Sequence, residues 1–242
     1  MGHYHNPQIP TRNLHFLVDA GNSRSYAGSG AVWSDIAGSN SLTASGTQSF
    51  TSVGATSYFS FGAANTWFSK TSVNDGVLIQ GPITVNVFFN PDTVAGTQNF
   101  IAVSSGATKA LQIGIRSNGG VIWNYGAITI LNYQYTGDGI PCHLTYTCDG
   151  SNNSKVYING VLQASGTVAV QTGTADDYSI ATYYNTGLER CTAKIYYASI
   201  HKTVFTDLEV HKTWAALKKR WGFGAIGGTT ASATIGGLQG GQ

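Results

Sequence analysis

The chain has 242 residues, 31 of them glycine and 5 proline, and only 10% are charged, against about 25% in ordinary soluble domains. A formal net charge of +2 gives no electrostatic basis for binding nucleic acid. No apolar run is long enough to cross a bilayer as a helix, so no membrane partner is expected. Ser, Thr, Asn and Gly stand where charges would, a composition that suits short strands, tight turns and packing among neighbours. At this length an all-β sandwich is commonly one domain.

Residues 1–13 read as an extended arm; His3 and His5 alternate around Tyr4 but have no third partner that would make a metal site. The arm lacks the apolar core of a signal peptide, and Asn6 stands where a myristoylation signal needs Ser or Thr. Synthesis and retention in a cytoplasm are expected. Leu14-His15-Phe16-Leu17-Val18 is a first strand, and Asp19 at its edge is read as a turn cap that accepts backbone N–H bonds. Residues 37–56 read as a Ser/Thr/Gly-rich connection without periodicity. Tyr58–Phe61 and Trp67-Phe68 flank a turn at 62–65. After the turn at Gly81-Pro82, Ile83, Val85, Val87 and Phe89 share one face of a strand, with Phe88 on the other. That pattern predicts the centre of a sandwich.

Strands at 100–103, 111–115 and 121–125 follow, separated by turns at 104–106 and 117–120. His143–Thr147 alternates as a half-buried strand would. A polar turn at Asp149–Asn153 leads to Lys155–Ile158, and Asn159-Gly160 predicts a type I′ hairpin into Val161-Leu162. Another strand covers 193–200. The one helix is predicted over 206–221. Thr206 and Glu209 form a capping box, Val210, Trp214, Leu217 and Trp221 make one stripe, and Gly222 is a candidate C′ residue. Lys218-Lys219-Arg220 then suit the dipole of its last turn, and the helix is expected to plug an end or edge of the sandwich. The uncharged tail, 223–242, is glycine-rich and would be disordered alone.

The pattern His143, Thr147, Asp149-Gly150, Lys155, Tyr157-Ile158-Asn159-Gly160 resembles the central meander of laminin-G-like, concanavalin A-like jelly-roll domains. Residues 83–102 resemble the family's strand, Pro-Asp turn and strand. The opening Leu17–Asn22, Ser25-Tyr26, Gly28-Ser29-Gly30 and Trp33-Ser34-Asp35 is similar to such domains in tailed-bacteriophage structural proteins. The resemblance covers roughly 14–222. It implies an all-β, two-sheet antiparallel jelly-roll sandwich with one short C-terminal α-helix, between extended N- and C-terminal arms.

Catalysis is not expected. Glycosidases need two carboxylates across a cleft, but Glu189 and Glu209 are the only glutamates, Glu209 is taken by the helix cap, and Asp176-Asp177 would point to opposite faces of a strand. Gly28-Ser29-Gly30 lacks a strand-to-helix elbow. Cys142, Cys148 and Cys191 are odd in number and suit reduced, partly buried thiols without zinc; no cofactor is expected. Laminin-G-like relatives often hold Ca²⁺ at the rim, for which Asp138, Asp149, Asp176 and Asp177 are the candidates. Sugar binding would resemble that of lectins, with Tyr133, Tyr135 and Asp138, or Tyr183, Tyr184 and Asn185, as the stacking and polar groups.

The resemblance thus implies a non-enzymatic accessory protein of a phage virion, a capsid decoration or tail component. Its partners would be other virion proteins met through the two arms, within a homo-oligomer or larger assembly. A carbohydrate-binding adhesin module that contacts host-surface glycans is the alternative, and a glycoside hydrolase is the least favoured.

Overall fold

The structure is a computed structural model. It describes residues 9–53, 56–62, 66–73, 76, 81–93, 95–105, 110–116, 120–125, 131–134, 139–151, 153–167, 174–183 and 190–221. The first strands are β1 (Leu14–Asp19), β2 (Val32–Trp33), β3 (Leu42–Ser45), β4 (Ser49–Val53), β5 (Thr56–Phe61) and β6 (Trp67–Thr71). Next come β7 (Pro82–Pro91), β8 (Gln98–Ser104), β9 (Ala110–Ile115), β10 (Gly120–Tyr125) and β11 (Leu131–Gln134). The last are β12 (Cys142–Asp149), β13 (Asn153–Ile158), β14 (Val161–Thr167), β15 (Asp177–Ile180) and β16 (Ala193–His201), followed by the helix α1 (Asp207–Arg220).

The strands form two antiparallel sheets, the expected jelly-roll sandwich. The first runs β14-β13-β12-β7-β16-β5-β4, and the second β11-β10-β9-β8-β15-β6-β3-β2. β16 is long enough for two partners on one edge: Ala193–Ile195 pair with β5 and Tyr197–His201 with β1. Alternation builds the core, because successive side chains point to opposite faces. Val85, Val87 and Phe89 of β7 join Leu144, Ile195 and Ile200 from the first sheet and Ile101, Leu111, Ile113 and Ile180 from the second. Phe89 stacks on Phe100 across the interlayer, ring centroids 4.0 Å apart. The Asn159-Gly160 turn has φ of +52° and +79°, as a type I′ hairpin requires. Cys142, Cys148 and Cys191 are free and buried.

Three expectations are corrected. Residues 37–56 are not one connection, because β3 and β4 lie within them. Both are short and near the sandwich edge, with few apolar side chains to bury, so backbone pairing to β6 and β5 rather than periodicity defines them. Residues 142–148 of β12 are buried throughout rather than half-buried. The reason is the third correction: α1 lies on the outer face of the first sheet, not at an end or edge. Phe88, the outward aromatic of β7, stacks on Trp221 at 4.8 Å and Trp214 at 5.9 Å, while His143 of β12 stacks on Trp214. Leu217 joins this cluster, and Val210 meets Tyr157 and Phe205. The capping box is formed, with the Glu209 amide donating to Thr206 Oγ1 at 3.2 Å and the Thr206 amide to Glu209 Oε2 at 2.8 Å. Trp221 is the C-cap, so Gly222, which lies outside the described residues, follows it at the C′ position the sequence suggested.

Candidate functional site

Two of the chain's crossings between the sheets bound one lateral edge: from β1 to β2 through residues 20–31, and from β3 to β4 through Gly46–Gln48. The longer crossing is tied down locally. Asn22 Oδ1 accepts from the Arg24 amide, and Ser25 Oγ accepts from the Asp19 amide and donates to the Ser34 carbonyl. Asp35 fixes the following loop by accepting from the amides of Leu17, Ala37 and Asn40. Tyr26 is thereby turned into the gap between the sheets, its ring 4.7 Å from those of both Phe50 and Phe59. Its hydroxyl donates to the Gly30 carbonyl at 2.9 Å, and burial pushes the phenol up from its ordinary pKa.

Gly28 and Gly30 have φ of +96° and +101°, the left-handed region that glycine enters without strain. A Cβ at either would meet nothing within 4 Å, so the wall here is bare backbone facing open space. Two adjoining hollows result, with Tyr26, Gly28 and Phe50 common to both. One, of about 410 Å³, is bounded by Ser29, Gly30, Thr47 and Gln48. The other, of about 250 Å³, reaches Gly21, Ser23, Ser52 and Ser57. No charged side chain lines either. Gln48 Nε2 donates to the carbonyls of Ser45 and Trp67, which holds the β3–β4 turn against β6.

The outer face of the first sheet is chemically rich but closed. Beneath α1, hydrogen bonds cross three strands in line. His143 Nε2 meets Thr145 Oγ1 at 3.4 Å, Thr145 Oγ1 donates to Asn86 Oδ1 at 2.8 Å, and Asn86 Nδ2 donates to Ser199 Oγ at 3.1 Å. Ser199 Oγ then meets His201 Nε2 at 3.3 Å, and His201 Nδ1 meets the Arg12 carbonyl at 3.2 Å. Because Thr145 has given its proton to Asn86, Nε2 of His143 must be the donor to Thr145. Because a carbonyl can only accept, His201 carries its proton on Nδ1 and its Nε2 accepts from Ser199. All five bonds therefore run in one direction, and both imidazoles are neutral. Burial lowers the pKa of His143 to about 3 and that of His201 to about 4. Arg12 closes the end of this chain, its guanidinium held by both Glu209 oxygens, Thr203 Oγ1 and the Val204 carbonyl.

A family model described as the concanavalin A-like lectin/glucanases superfamily matches residues 54–211. The chain belongs to that superfamily. No curated protein matches this concanavalin A-like chain in sequence. Domain 4 of the extracellular arabinanase AbnA from Geobacillus stearothermophilus, solved with arabinotriose, superposes with a TM-score of 0.65 at 16% identity, over 83% of this chain and 98% of that one. A Trypanosoma rangeli sialidase solved with sialic acid gives 0.64 at 13%, over 88% of this chain but only 34% of the sialidase. The binding domain of botulinum neurotoxin DC gives 0.61 at 13%, over 85% and 52%. At these identities the likeness is one of fold.

Of the predicted site residues of this concanavalin A-like sandwich, Asp149, Asp176, Asp177 and Tyr183 are described with their side chains. Tyr183 is buried, 5% exposed, and offers no open ring to a sugar. Tyr133 lies on β11, and only its backbone is described; Tyr135, Asp138, Tyr184 and Asn185 lie outside the described residues. Asp149 is occupied by its own turn, accepting from the Asn153 side chain and the amides of Ser151 and Asn153, which hold its carboxyl below the usual range. Asp177 is buried on β15, and neither of its oxygens finds a hydrogen-bond partner. Burial, then the Asp176 carboxylate, push it up to about 7. The nearby Ser179 hydroxyl pulls the other way, but its proton goes to the Thr182 carbonyl at 3.2 Å. No group of three or more potential metal ligands occurs among the described residues.

Asp19 caps its turn as expected, accepting from the Gly21 amide. It also pairs with Arg220 at the end of α1, a partner 201 positions away that no local pattern announces. Burial raises its pKa, with Arg220 offsetting part of the shift. The cleft residues themselves were only half visible in the sequence. Gly28-Ser29-Gly30 stood out as a motif, but Gln48 and Phe50 sat inside a stretch without periodicity.

Proposed function

We propose that the protein is a non-enzymatic, lectin-like recognition module that holds carbohydrate in the lateral cleft. The observation that carries this reading is the cleft itself: open, uncharged, floored by an aromatic pair and rimmed by hydroxyls and bare backbone. Such a mixture of apolar surface and a few polar groups is what ligand sites generally offer. A non-hydrolytic role is supported by the structural employment of five of the eight described carboxylates. Asp35 and Asp149 organise loops, Asp19 and Glu209 hold Arg220 and Arg12, and Asp207 accepts from Tyr157 and Lys155. Glycan-array screening of the purified protein is the test. Reproducible binding without release of cleaved sugar is expected, and a blank array or measurable hydrolysis would end this reading.

A second reading, an accessory structural component of a tailed-phage particle, is supported by the opening residues 17–35 and the 10% charge content. The two readings are compatible, since a particle can carry its recognition module. Mass spectrometry of purified particles should find the chain in stoichiometric amount; its absence from them would remove the virion setting.

A further inference from the structure

The two hollows of the cleft differ in size and share one partition. Phe50, half-buried, lines both, together with Tyr26 and Gly28. Tyr26 is locked by its bond to the Gly30 carbonyl and by ring contacts to Phe50 and Phe59. Phe50 is in turn braced by Phe59, 5.2 Å away, so the partition is packed from within the core. Beyond it on one side stand Ser29, Thr47 and the backbone of Gly30; on the other stand Ser23, Ser52 and Ser57. Ser57 Oγ donates to Ser52 Oγ at 3.1 Å, which leaves the Ser52 proton for a ligand.

Neither lining contains a Lys, Arg, His, Asp or Glu. A carboxylated or phosphorylated ligand would lose hydration there with no counter-charge in either lining to replace it, because the guanidinium beside Gly21, that of Arg220, is already paired with Asp19. Hydroxyls lose far less, because Ser and Thr side chains and exposed backbone groups can both donate to and accept from them. The bare backbone at Gly28 and Gly30 lets a ring approach closely on that side.

Resting on the recognition reading above, we infer that the cleft takes an uncharged oligosaccharide that straddles Phe50, with one sugar ring in each hollow. The larger hollow holds the better-buried ring and the smaller one its neighbour. Acidic glycans, sialylated or uronic, are excluded by the same absence of cations.

The test is titration calorimetry of the full chain with neutral trisaccharides (arabinotriose, maltotriose, mannotriose), the matching monosaccharides, sialyl-lactose and an oligogalacturonate. Thr47→Trp and Ser23→Trp each block one hollow at an exposed position, and thermal melting confirms that both fold. A neutral trisaccharide should bind, its monosaccharide about tenfold or more weakly, and each blocking variant should cost the trisaccharide about tenfold. Monosaccharide binding should be sensitive to only one of the two. Trisaccharide binding that neither variant alters places the glycan elsewhere, and overturns this inference while leaving the recognition reading intact. Acidic glycans bound as tightly as neutral ones, or monosaccharides bound as tightly as trisaccharides, also overturn it. If no saccharide binds at all, both fall together.

Discussion

The outer face of the first sheet and the lateral cleft contain similar chemistry arranged to opposite ends. Each sets aromatic rings beside uncharged polar groups. Under α1, Phe88, Trp214 and His143 lie against Thr145, Asn86 and Ser199; at the edge, Tyr26 and Phe50 lie against Ser29, Thr47 and Ser52. The first set is sealed, so its members must satisfy one another, and the protons line up in one order from His143 to Arg12. The second set faces solvent, and its hydrogen-bonding capacity remains available. Closure turns polar groups into structure; exposure leaves them for a ligand.

The comparison can be broken most sharply at Phe88. Phe88→Ala removes a fully buried ring stacked against two tryptophans and should cost about 3–5 kcal/mol of stability by denaturant titration. Saccharide affinity of the folded fraction should not change, since the cleft is built from other elements. Equal loss of both would mean that the two regions are coupled.

Asn86→Ala cuts the hydrogen-bond chain in its middle. It strands the Thr145 proton and a Ser199 acceptor in a buried site, and about 1–3 kcal/mol should be lost. Asn86→Asp should do no better, because the new group cannot donate to Ser199 as the amide does.

The pH dependence separates the sealed groups by sign. His143 and His201 titrate in the folded state near 3 and 4, below the ordinary value of 6.5. Between those limits the unfolded chain binds more protons than the native one, so stability falls as pH drops from about 6.5 towards 3. Asp177 works the other way. Its folded value near 7 lies above 3.8, so the native state holds an extra proton between about 4 and 7, and that contribution is lost as pH rises through 7. Asp177→Asn should therefore raise the melting temperature most at pH 8, by less at pH 5 and scarcely at all below pH 4, while His201→Gln should flatten the acid limb. A rise for Asp177→Asn at pH 5 equal to that at pH 8 would refute the buried-carboxylate account.

Smaller effects sharpen the edges of the comparison. Arg12→Ala loses an ion pair that is half exposed on the arginine side and should cost about 0.5–1 kcal/mol, diminishing with salt. Substitutions at Ser29 or Thr47, on the open side, should change stability by no more than about 0.5 kcal/mol.

Local chemistry was legible wherever the chain closes on itself. Asn159-Gly160 can only be a tight hairpin, Thr206 and Glu209 can only cap a helix, and the alternation from Ile83 to Phe89 marks a central strand. The placement of α1 was less so. Phe88 on the outward side of β7 and the Val210–Trp221 stripe are the two halves of one contact, yet nothing in either segment says that they meet. The cleft was least legible, because β3 and β4 bury little and leave no periodicity to read, and because Tyr26 and Phe50 become a site only when two crossovers fall on the same edge.

By itself the sequence determined an antiparallel sandwich with a capped helix and no paired acids spaced along one strand, since those follow from φ preferences, side-chain alternation and residue counts. Only the tertiary structure decided which outer face the helix seals, that Asp19 answers Arg220, and where the chain leaves an uncharged opening. Those outcomes depend on residues far apart in sequence arriving at one place, and short-range preferences carry no record of the distances between them.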